Sequence, residues 1–276
     1  MAEKPVPKCA VINDLSGFGR CSLTVAVPIL SAMGVQACPV PTAILSNHTA
    51  YDDFFFKDLT DDMEIYFQKW KKLGLEFDSI YTGFLGNERQ IELILDFVKE
   101  FRSESTLLLV DPVMGDNGKI YATYNEKMCE EMQRLVHSAD LITPNLTEAC
   151  ILTGTDYPQK ACDEQVFEIG EKLLALGAKC AVITGVRKAG KMMNFVLDAD
   201  GERLALESDF VACEYCGTGD VFASLMCGYM TRGVDCKTAL RRSAEFLIKT
   251  IKYSHQTHVN PLDGVAFERY LNEIEL

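Results

Sequence analysis

An α/β fold with a mostly parallel central sheet is predicted by three observations. Short apolar runs bounded by Gly, Pro, Asn or Asp alternate with helical segments of ten or more residues. This alternation is typical of parallel strands joined by helices that cover both faces of a sheet. Polar residues follow most of the apolar runs, and ligands bind in such sheets beyond the carboxyl ends of the strands. No repeat, low-complexity tract or linker interrupts the series, so residues 1–276 are predicted to form a single domain.

The predicted helices carry apolar residues at a spacing of three or four. In one of them Met63, Phe67 and Trp70 form a stripe, and Gly74 follows its end. The predicted set is 22–33, 60–73, 88–102, 125–137, a short helix that holds Glu148, 163–176, 220–231, 237–253 and 264–274.

The predicted strands are the short apolar runs between these helices. Residues 35–45 contain Pro39 and Pro41, which indicate an irregular or edge strand. Residues 35–56, together with a hairpin around 198–201, are predicted to form a small flap. The remaining predicted strands are 9–13, 79–82, 106–110, 140–143, 180–184 and 194–197.

Composition excludes several classes of protein. The chain has 276 residues, of which 48% are hydrophobic and 24% charged, without an apolar run of membrane-spanning length. Its eleven cysteines are too scattered for a disulfide framework and indicate a reducing compartment. The net charge of -13 argues against a nucleic-acid or anionic-membrane surface. We therefore expect a cytoplasmic protein with neither nucleic acid nor membrane as a partner.

A glycine motif, Gly217-Thr-Gly-Asp220, follows a short apolar strand predicted from Phe210 and opens an apolar helix. The main-chain N–H groups of Gly217, Thr218 and Gly219 are predicted to form a seat for an anion. Asp220 has two interpretations, the N-terminal cap of the helix and the proton acceptor in a phosphoryl transfer. The motif alone does not decide between them.

Three other motifs match known sites only in part. Residues 17–22 imitate a dinucleotide-binding fingerprint, but Ser22 stands in place of its third glycine. Residues 185–191 imitate a P-loop, but Met192 replaces the magnesium-binding Ser or Thr, and a strand follows where a P-loop has a helix. A solvated turn is therefore favoured over a loop that covers a nucleotide. The Cys213–Cys216 pair has no second pair nearby and is therefore too isolated to bind zinc. A thiolate at Cys216 would be stabilised by the helix N-terminus. Oxidation of Cys216 would then block the anion seat.

The polar residues after the predicted strands come from six different strands, which capping alone does not explain. They are Asn13, Asp14, Asn47 to Thr49, Asp111, Asp116, Asn145, Glu148, Thr184 and Gly217 to Asp220.

Four motifs in this set carry a resemblance to a known family. They are Ser46-Asn-His-Thr49, Asp111-Pro-Val-Met-Gly-Asp116, Thr143-Pro-Asn-x-x-Glu148 and Gly217-Thr-Gly-Asp220. From the first predicted strand to the last helix, the chain resembles the pyridoxal and pyridoxamine kinases of the ribokinase-like superfamily. The resemblance implies a three-layer α/β/α fold and ATP-dependent phosphorylation of the 5′-hydroxymethyl group of a B6 vitamer: pyridoxal, pyridoxamine or pyridoxine.

The resemblance also implies a role for each matching residue. Asp220 is the catalytic base, and the anion hole consists of Gly217, Thr218 and Gly219. The vitamer site comprises Asp14, Ser16, His48, Thr49 and Phe84. The nucleotide and its cations lie near Asp111, Asp116, Asn145, Glu148 and Thr184, with Asp111 and Glu148 as the Mg2+ candidates, acting through water. A monovalent cation, K+ or Na+, near the loop after Thr184 and a homodimer are further expectations from the family.

One departure from the family pattern leaves other functions open. Asp14-Leu-Ser16 stands where the family commonly has Ser-His, and it is similar to the start of hydroxymethylpyrimidine kinases of thiamine biosynthesis. Those kinases often carry cysteine at the position of Asp220 and lack the Ser-Asn-His-Thr loop in this form. A non-catalytic protein of the same fold that binds a vitamer or nucleotide is the third alternative, although a binding protein has no need of a base in its anion pocket.

Overall fold

A computed structural model of the chain describes residues 5–121, 124–211 and 213–275. Its strands are β1 (Lys8–Phe18), β2 (Gln36–Asn47), β3 (Phe56–Asp58), β4 (Ser79–Thr82), β5 (Leu107–Val110), β6 (Gly115–Asp116), β7 (Lys119–Ile120), β8 (Leu141–Ile142), β9 (Cys180–Lys188), β10 (Lys191–Asp198) and β11 (Arg203–Asp209). Its α-helices are α1 (Ser22–Ala32), α2 (Thr60–Leu73), α3 (Glu88–Phe101), α4 (Glu126–His137), α5 (Leu146–Thr153), α6 (Asp163–Ala175), α7 (Thr218–Thr231) and α8 (Cys236–Gln256).

The chain divides into two compact units. Unit 1 consists of residues 1–81, 97–107 and 211–276, and unit 2 of residues 82–96 and 108–210. The prediction of a single domain stays a prediction. Within the described ranges, no helix combines the length and the apolar character that crossing a bilayer requires.

Unit 1 is built around the strand order β4-β1-β2-β3, in which β1 and β2 are parallel and β2 and β3 antiparallel. The register of β1 and β2 shifts between Asn13 and Leu15, where the chain bends around Asp14. Strand β1 therefore continues to Phe18, beyond the predicted end at residue 13. The chain makes no turn at Ser16, because the backbone pairing resumes after the irregularity.

Strand β2 occupies most of the segment 35–56 that was predicted to form a flap. Residues 36–47 are a regular strand of the sheet, with a partner on each side, and not part of a flap. Strand β3 pairs only with Ala43 to Leu45. Pro39 and Pro41 lie outside that pairing, so their missing N–H groups cost no hydrogen bond to β3.

The two ends of the glycine-motif region also differ from prediction. The described residues between β11 and the motif, 210, 211 and 213–215, are irregular and do not form the predicted strand, although Tyr215 is buried. The predicted helix 264–274 is replaced by two short 3-10 helices, Pro261–Asp263 and Glu268–Glu273. Local apolar spacing did not reveal either difference, because both segments are held by contacts distant in sequence, such as the Cys216 N–H bond to the Pro261 carbonyl at 3.0 Å.

Unit 2 has the strand order β11-β10-β9-β8-β5. Strands β5, β8 and β9 are parallel, whereas β10 is antiparallel to both of its neighbours. The residues that imitate a P-loop, 185–191, form the end of β9 and the tight turn into β10, which agrees with the interpretation of an accidental match. The predicted hairpin around residues 198–201 is confirmed as the turn between β10 and β11.

Candidate active site

The glycine motif forms the start of α7. Gly217 is the residue before the helix and has a left-handed backbone, with φ of 72°. A Cβ atom on Gly217 would lie 1.8 Å from the carbonyl oxygen of Arg20, so both the conformation and the close approach require glycine. The N-terminal cap of α7 is therefore Gly217, and the interpretation of Asp220 as that cap is wrong.

Gly219 has a different environment from Gly217. A Cβ atom on Gly219 would meet no heavy atom within 4 Å, and the residue is exposed. The N–H groups in the first turn of a helix have no acceptor within the helix, and the helix dipole adds about half a positive charge there. The open side of Gly219 therefore gives an anion room to approach these N–H groups.

Asp220 lies in the first turn of α7 and interacts with residues of β1 and α1. The Nδ2 atom of Asn13 donates to its Oδ1 atom at 3.3 Å, and the main-chain N–H of Ser22 faces the same carboxylate and favours its charged form. Burial raises the pKa of Asp220 to about 6, and the nearby charge of Asp14 acts in the same direction. A carboxylate with this pKa is a better proton acceptor than an ordinary aspartate and is still ionised at neutral pH.

Asp14 lies at the register shift of β1 and is only 6% exposed. The Ser16 hydroxyl donates to its Oδ2 atom at 2.8 Å, and the Ser22 hydroxyl donates to its Oδ1 atom. Burial raises the pKa of Asp14, although both hydroxyl donors oppose that effect. Asp14 and Ser16, both predicted to bind the vitamer, are thus brought together with Asp220 within unit 1.

The His48–Thr49 loop is attached to the C-terminal part of unit 1. His48 Nε2 lies 2.6 Å from the carbonyl oxygen of Leu262, and Nδ1 accepts from the N–H of Ala50 at 3.3 Å. A Cβ atom on Gly19 would lie 2.6 Å from the imidazole, so glycine is needed where the ring packs. Both ring nitrogens of His48 therefore have protein partners, whereas Thr49 is exposed.

Cys216 does not have the predicted thiolate character. Its burial and the charge of Asp220 raise the pKa of the thiol. The residue also precedes the cap residue Gly217, so it lies outside the first turn of α7. The expectation of a stabilised thiolate is wrong, because burial and, after it, the charge of Asp220 both disfavour the thiolate.

Glu148 and Asn145 form a capping box at the start of α5 in unit 2. The Asn145 side chain accepts from the N–H of Glu148 at 3.0 Å, and Glu148 Oε2 accepts from the N–H of Asn145 at 2.8 Å. The other oxygen, Oε1, accepts from the N–H of Met114 at 3.1 Å. Glu148 is thus buried and held between the end of β5 and the start of α5.

Asp111 follows β5 and is also buried, with the Thr143 hydroxyl donating to its Oδ1 atom at 2.9 Å. Burial raises the pKa of Glu148 well above its usual range, and the charge of Asp111 raises it further. The buried hydroxyl of Tyr124 has no hydrogen-bond partner within the described part of the chain, and its own pKa is raised by burial and by the charge of Glu148. This region therefore concentrates negative charge that a cation would offset.

The donor set fits Mg2+ held partly through water. Among the described residues, no group of three or more His, Cys, Asp or Glu side chains could enclose a metal ion. Mg2+ usually keeps several waters and binds one or two carboxylates together with substrate phosphates. Asp111 and Glu148 meet that requirement without a complete protein cage.

The other predicted nucleotide residues surround the same capping box. Asp116 lies on the β6–β7 hairpin, is exposed, and accepts from the N–H of Asn117 at 2.7 Å. That hairpin is attached to α5, since Asn145 Nδ2 donates to the Gly115 carbonyl at 2.8 Å. Thr184 lies on β9 and pairs with Asn145 as an isolated bridge.

Phe84 also belongs to unit 2. It follows β4, lies outside the regular elements and is partly exposed. The vitamer residues Asp14, Ser16, His48 and Thr49 belong to unit 1. The roles assigned to Phe84 and to these four residues stay predictions.

The structure adds residues that the sequence analysis did not assign to a site. Asn13 and Ser22 contact Asp220, and Thr143 contacts Asp111. The strand-end position of Asn13 was a signal for its role. Ser22 had no such signal, because its place at the start of an apolar helix gave it an ordinary structural explanation.

Comparisons with known proteins identify the family. The family model for phosphomethylpyrimidine kinase matches residues 28–264. A pyridoxine kinase of Bacillus subtilis is 33% identical over 183 residues, which cover 66% of each chain. A pyridoxine/pyridoxal/pyridoxamine kinase of Bordetella avium is 28% identical over 245 residues, covering 85% of this chain and 81% of the relative.

Two solved structures are similar over nearly the whole length. One, from Bacteroides thetaiotaomicron, is provisionally described as a phosphomethylpyrimidine kinase and was crystallised with pyridoxal. Its TM-score is 0.95 and its sequence identity 39%, and the match covers 99% of this chain and 96% of that one. Pyridoxal kinase from Lactobacillus plantarum has a TM-score of 0.91 and 31% identity, covering 98% and 97%. These matches confirm the predicted ribokinase-like α/β fold with a large, mostly parallel central sheet. The chain therefore belongs to the pyridoxal kinase family of the ribokinase-like superfamily.

Proposed function

We propose that this kinase transfers the terminal phosphoryl group of ATP to the 5′-hydroxymethyl group of a B6 vitamer, namely pyridoxal, pyridoxamine or pyridoxine. The observation that carries the proposal is the carboxylate of Asp220, with a pKa of about 6, in the first turn of a helix whose glycine start is open at Gly219. The names of the relatives and the pyridoxal in the Bacteroides thetaiotaomicron crystal support the vitamer as the acceptor.

Phosphoryl transfer requires little covalent chemistry from the protein. The vitamer oxygen forms a bond to the terminal phosphorus as the bond from that phosphorus to the bridging oxygen of ADP breaks, and the hydroxyl proton passes to Asp220. Asp220 orients the hydroxyl and accepts the proton late, as the bond to phosphorus forms. The N–H groups of Thr218 and Gly219 donate to the transferred group, and one such donor typically contributes about a hundred- to a thousandfold in rate.

Mg2+, when bound, offsets the charge of the triphosphate, and Asp111 and Glu148 would hold it through water. The chain itself keeps these carboxylates in place, through Thr143 for Asp111 and through the capping box for Glu148. A monovalent cation, K+ or Na+, near the loop after Thr184 stays a prediction.

Glu148→Gln should raise the Mg2+ concentration for half-maximal rate by about tenfold or more, because it removes one charge from the region. The amide oxygen keeps the capping box, but the amide nitrogen cannot accept from the N–H of Met114, a loss of about 1–3 kcal/mol that opposes the gain from removing a buried charge. Magnesium titrations of initial rate and thermal unfolding measure the two effects. An unchanged Mg2+ requirement would separate Glu148 from the metal.

An assay of ADP production tests the proposed function. Pyridoxal, pyridoxamine, pyridoxine and hydroxymethylpyrimidine are supplied separately with ATP and Mg2+, and the kcat/KM values are compared. We expect the largest value for one of the B6 vitamers. A larger value for hydroxymethylpyrimidine would support the alternative suggested by the matching family model, a kinase of thiamine biosynthesis. Binding without turnover of any of the four would favour a non-catalytic protein.

Thr49→Ala is expected to raise the Michaelis constant for the vitamer much more than that for ATP. Thr49 is exposed at the tip of a loop anchored by His48, so its hydroxyl is available to a ligand and its loss should leave the loop in place. Loss of a hydrogen bond to a neutral group corresponds to about a fivefold change or more. Steady-state kinetics with each substrate varied in turn give the comparison, and equal changes in both constants would remove Thr49 from the vitamer site.

We also propose a cytoplasmic homodimer. All eleven cysteines are free, as expected in a reducing compartment. Phe54, Phe55 and Phe56 are 36%, 60% and 40% exposed, an apolar row that a second copy would cover. Light scattering of the purified protein should give twice the chain mass of 30.7 kDa. A monomer at micromolar concentration would contradict the proposal.

A further inference from the structure

Ser22 has an unusual backbone at the start of α1. Its φ is 51°, in the left-handed region that residues other than glycine, asparagine and aspartate seldom adopt. The residue is only 6% exposed. Strained residues of this kind persist when their surroundings hold them, and they cluster at functional sites.

The polar groups of Ser22 contact two carboxylates. Its hydroxyl donates to Asp14 Oδ1, and its main-chain N–H faces the Asp220 carboxylate closely enough to lower the pKa of that group. The N–H of a residue in the first turn of a helix has no acceptor within the helix, so it is free for this contact. One residue thus connects the buried Asp14 with the proposed base.

The segment before Ser22 is fixed against the glycine motif. A Cβ atom on Gly217 would lie 1.8 Å from the Arg20 carbonyl oxygen, and the Arg20 N–H donates to the Asp263 carbonyl at 3.0 Å. The Arg20 guanidinium forms an ion pair with Glu268 at 2.5 Å. These contacts hold residues 20–22 in position and so maintain the conformation of Ser22.

We propose that Ser22 is a positioning residue for phosphoryl transfer: its hydroxyl holds the Asp14 carboxylate in place beside Asp220, while its main-chain N–H faces Asp220. The proposal rests on the proposed function and deepens it. It gives the left-handed conformation a purpose, since with this backbone the hydroxyl of Ser22 donates to Asp14 and its N–H faces Asp220.

The charges around Asp220 give the proposal a measurable consequence. The titratable groups that face it are Asp14, the Cys21 thiol and the Cys216 thiol, while Asn13 donates a neutral hydrogen bond. The charge of Asp14 raises the pKa of Asp220, and the Ser22 hydroxyl lowers the pKa of Asp14. His48 also favours the charged form of Asp14. Without the hydroxyl, Asp14 becomes neutral over a wider pH range, so the pKa of Asp220 falls.

Three variants of Ser22 test this role. Ser22→Gly removes the hydroxyl and adopts the left-handed backbone without strain, so it should fold. Ser22→Ala removes the hydroxyl and keeps the strain. Ser22→Asn tolerates the left-handed backbone and supplies an N–H donor in the side chain, so it is the rescue variant.

We expect the Gly and Ala variants to lower kcat by about 10- to 100-fold, with both Michaelis constants changed by less than about threefold. The acid limb of their kcat profile should move to lower pH, and the Asn variant should recover most of the rate and the wild-type profile. A Ser22→Gly protein with wild-type kcat and an unmoved acid limb would overturn the proposal. Rescue by Asn also decides against a role in stability alone if kcat and the unfolding temperature follow different orders across the three variants.

Carbon NMR titration of the Asp220 carboxyl in the ligand-free protein provides a readout that does not need turnover. The pKa of Asp220 in Ser22→Gly should be lower than in the wild type by about half a unit or more. An unchanged value would overturn the charge coupling. If the wild type phosphorylates no vitamer while this shift is found, the proposed function fails and the positioning role of Ser22 toward Asp220 stands.

Discussion

Asp220→Asn should reduce turnover about a hundred- to ten-thousandfold and, at the same time, raise the unfolding temperature of the ligand-free protein at pH 8. The loss of rate follows because an amide does not accept the hydroxyl proton. The gain in stability follows because the folded protein raises the pKa of Asp220 to about 6 from the usual 3.8. A raised pKa in the folded state means that folding disfavours the charged carboxylate, which an amide of the same shape avoids.

The pH window of this gain can be worked out from the same shift. At pH 8 the carboxylate is ionised in both states and the difference is full, at most about 3 kcal/mol because one pKa unit corresponds to about 1.4 kcal/mol. As the pH falls through about 6 the wild type takes up a proton in the folded state, and below about 4 both states are protonated and the difference disappears. Thermal unfolding of the two proteins at pH 8, 6 and 4 measures this trend. A destabilised Asp220→Asn protein at pH 8 would contradict the environment assigned to the carboxylate.

Asp220→Ala separates the loss of the base from the loss of binding. We expect no measurable turnover, whereas ATP should still bind in a calorimetric titration, because the proposed nucleotide residues such as Asn145 and Thr184 are unchanged. In the wild type, kcat should fall as the pH drops below about 6, since protonated Asp220 no longer accepts a proton. A variant that retains a near wild-type rate would remove Asp220 from the mechanism.

Much of the fold could be predicted because helix signals are local. For α2 the stripe of Met63 and Phe67 and the following Gly74 predicted the observed bounds, Thr60–Leu73. Both side chains are buried, and Gly74 takes the left-handed conformation that ends the helix. Strand β2 was harder, since its prolines argued against regular pairing and only the register with β1 and the shortness of β3 explain why they are tolerated.

The site was predicted less completely than the fold. Motif spacing identified Asp220 and Glu148, and the capping box at Asn145 follows from the residue types themselves. The contacts of Ser22 and the close approach of Arg20 to Gly217 depend on segments nearly two hundred residues apart in the chain. Local sequence carries no record of such contacts, so only coordinates could assign them.

The two glycines of the motif should respond oppositely to alanine, and this contrast tests whether the open side of the loop is the binding side. Gly217→Ala must adopt φ of 72° and would place its Cβ 1.8 Å from the Arg20 carbonyl. Strain of this kind together with a backbone clash should cost more than about 3 kcal/mol, so we expect a low yield of folded protein or a much lower unfolding temperature.

Gly219→Ala is the matched variant, since the same added methyl group meets no heavy atom within 4 Å. Alanine is the better helix former by about 1 kcal/mol, so the unfolding temperature should be equal to or above that of the wild type. If a phosphoryl group occupies the open side of Gly219, the methyl group lies in its path and kcat/KM should fall about a hundredfold or more, as for loss of an anion-hole donor. Full activity in Gly219→Ala would place the anion elsewhere. A stable protein with wild-type turnover would show that the added methyl group does not lie in the path of the phosphoryl group.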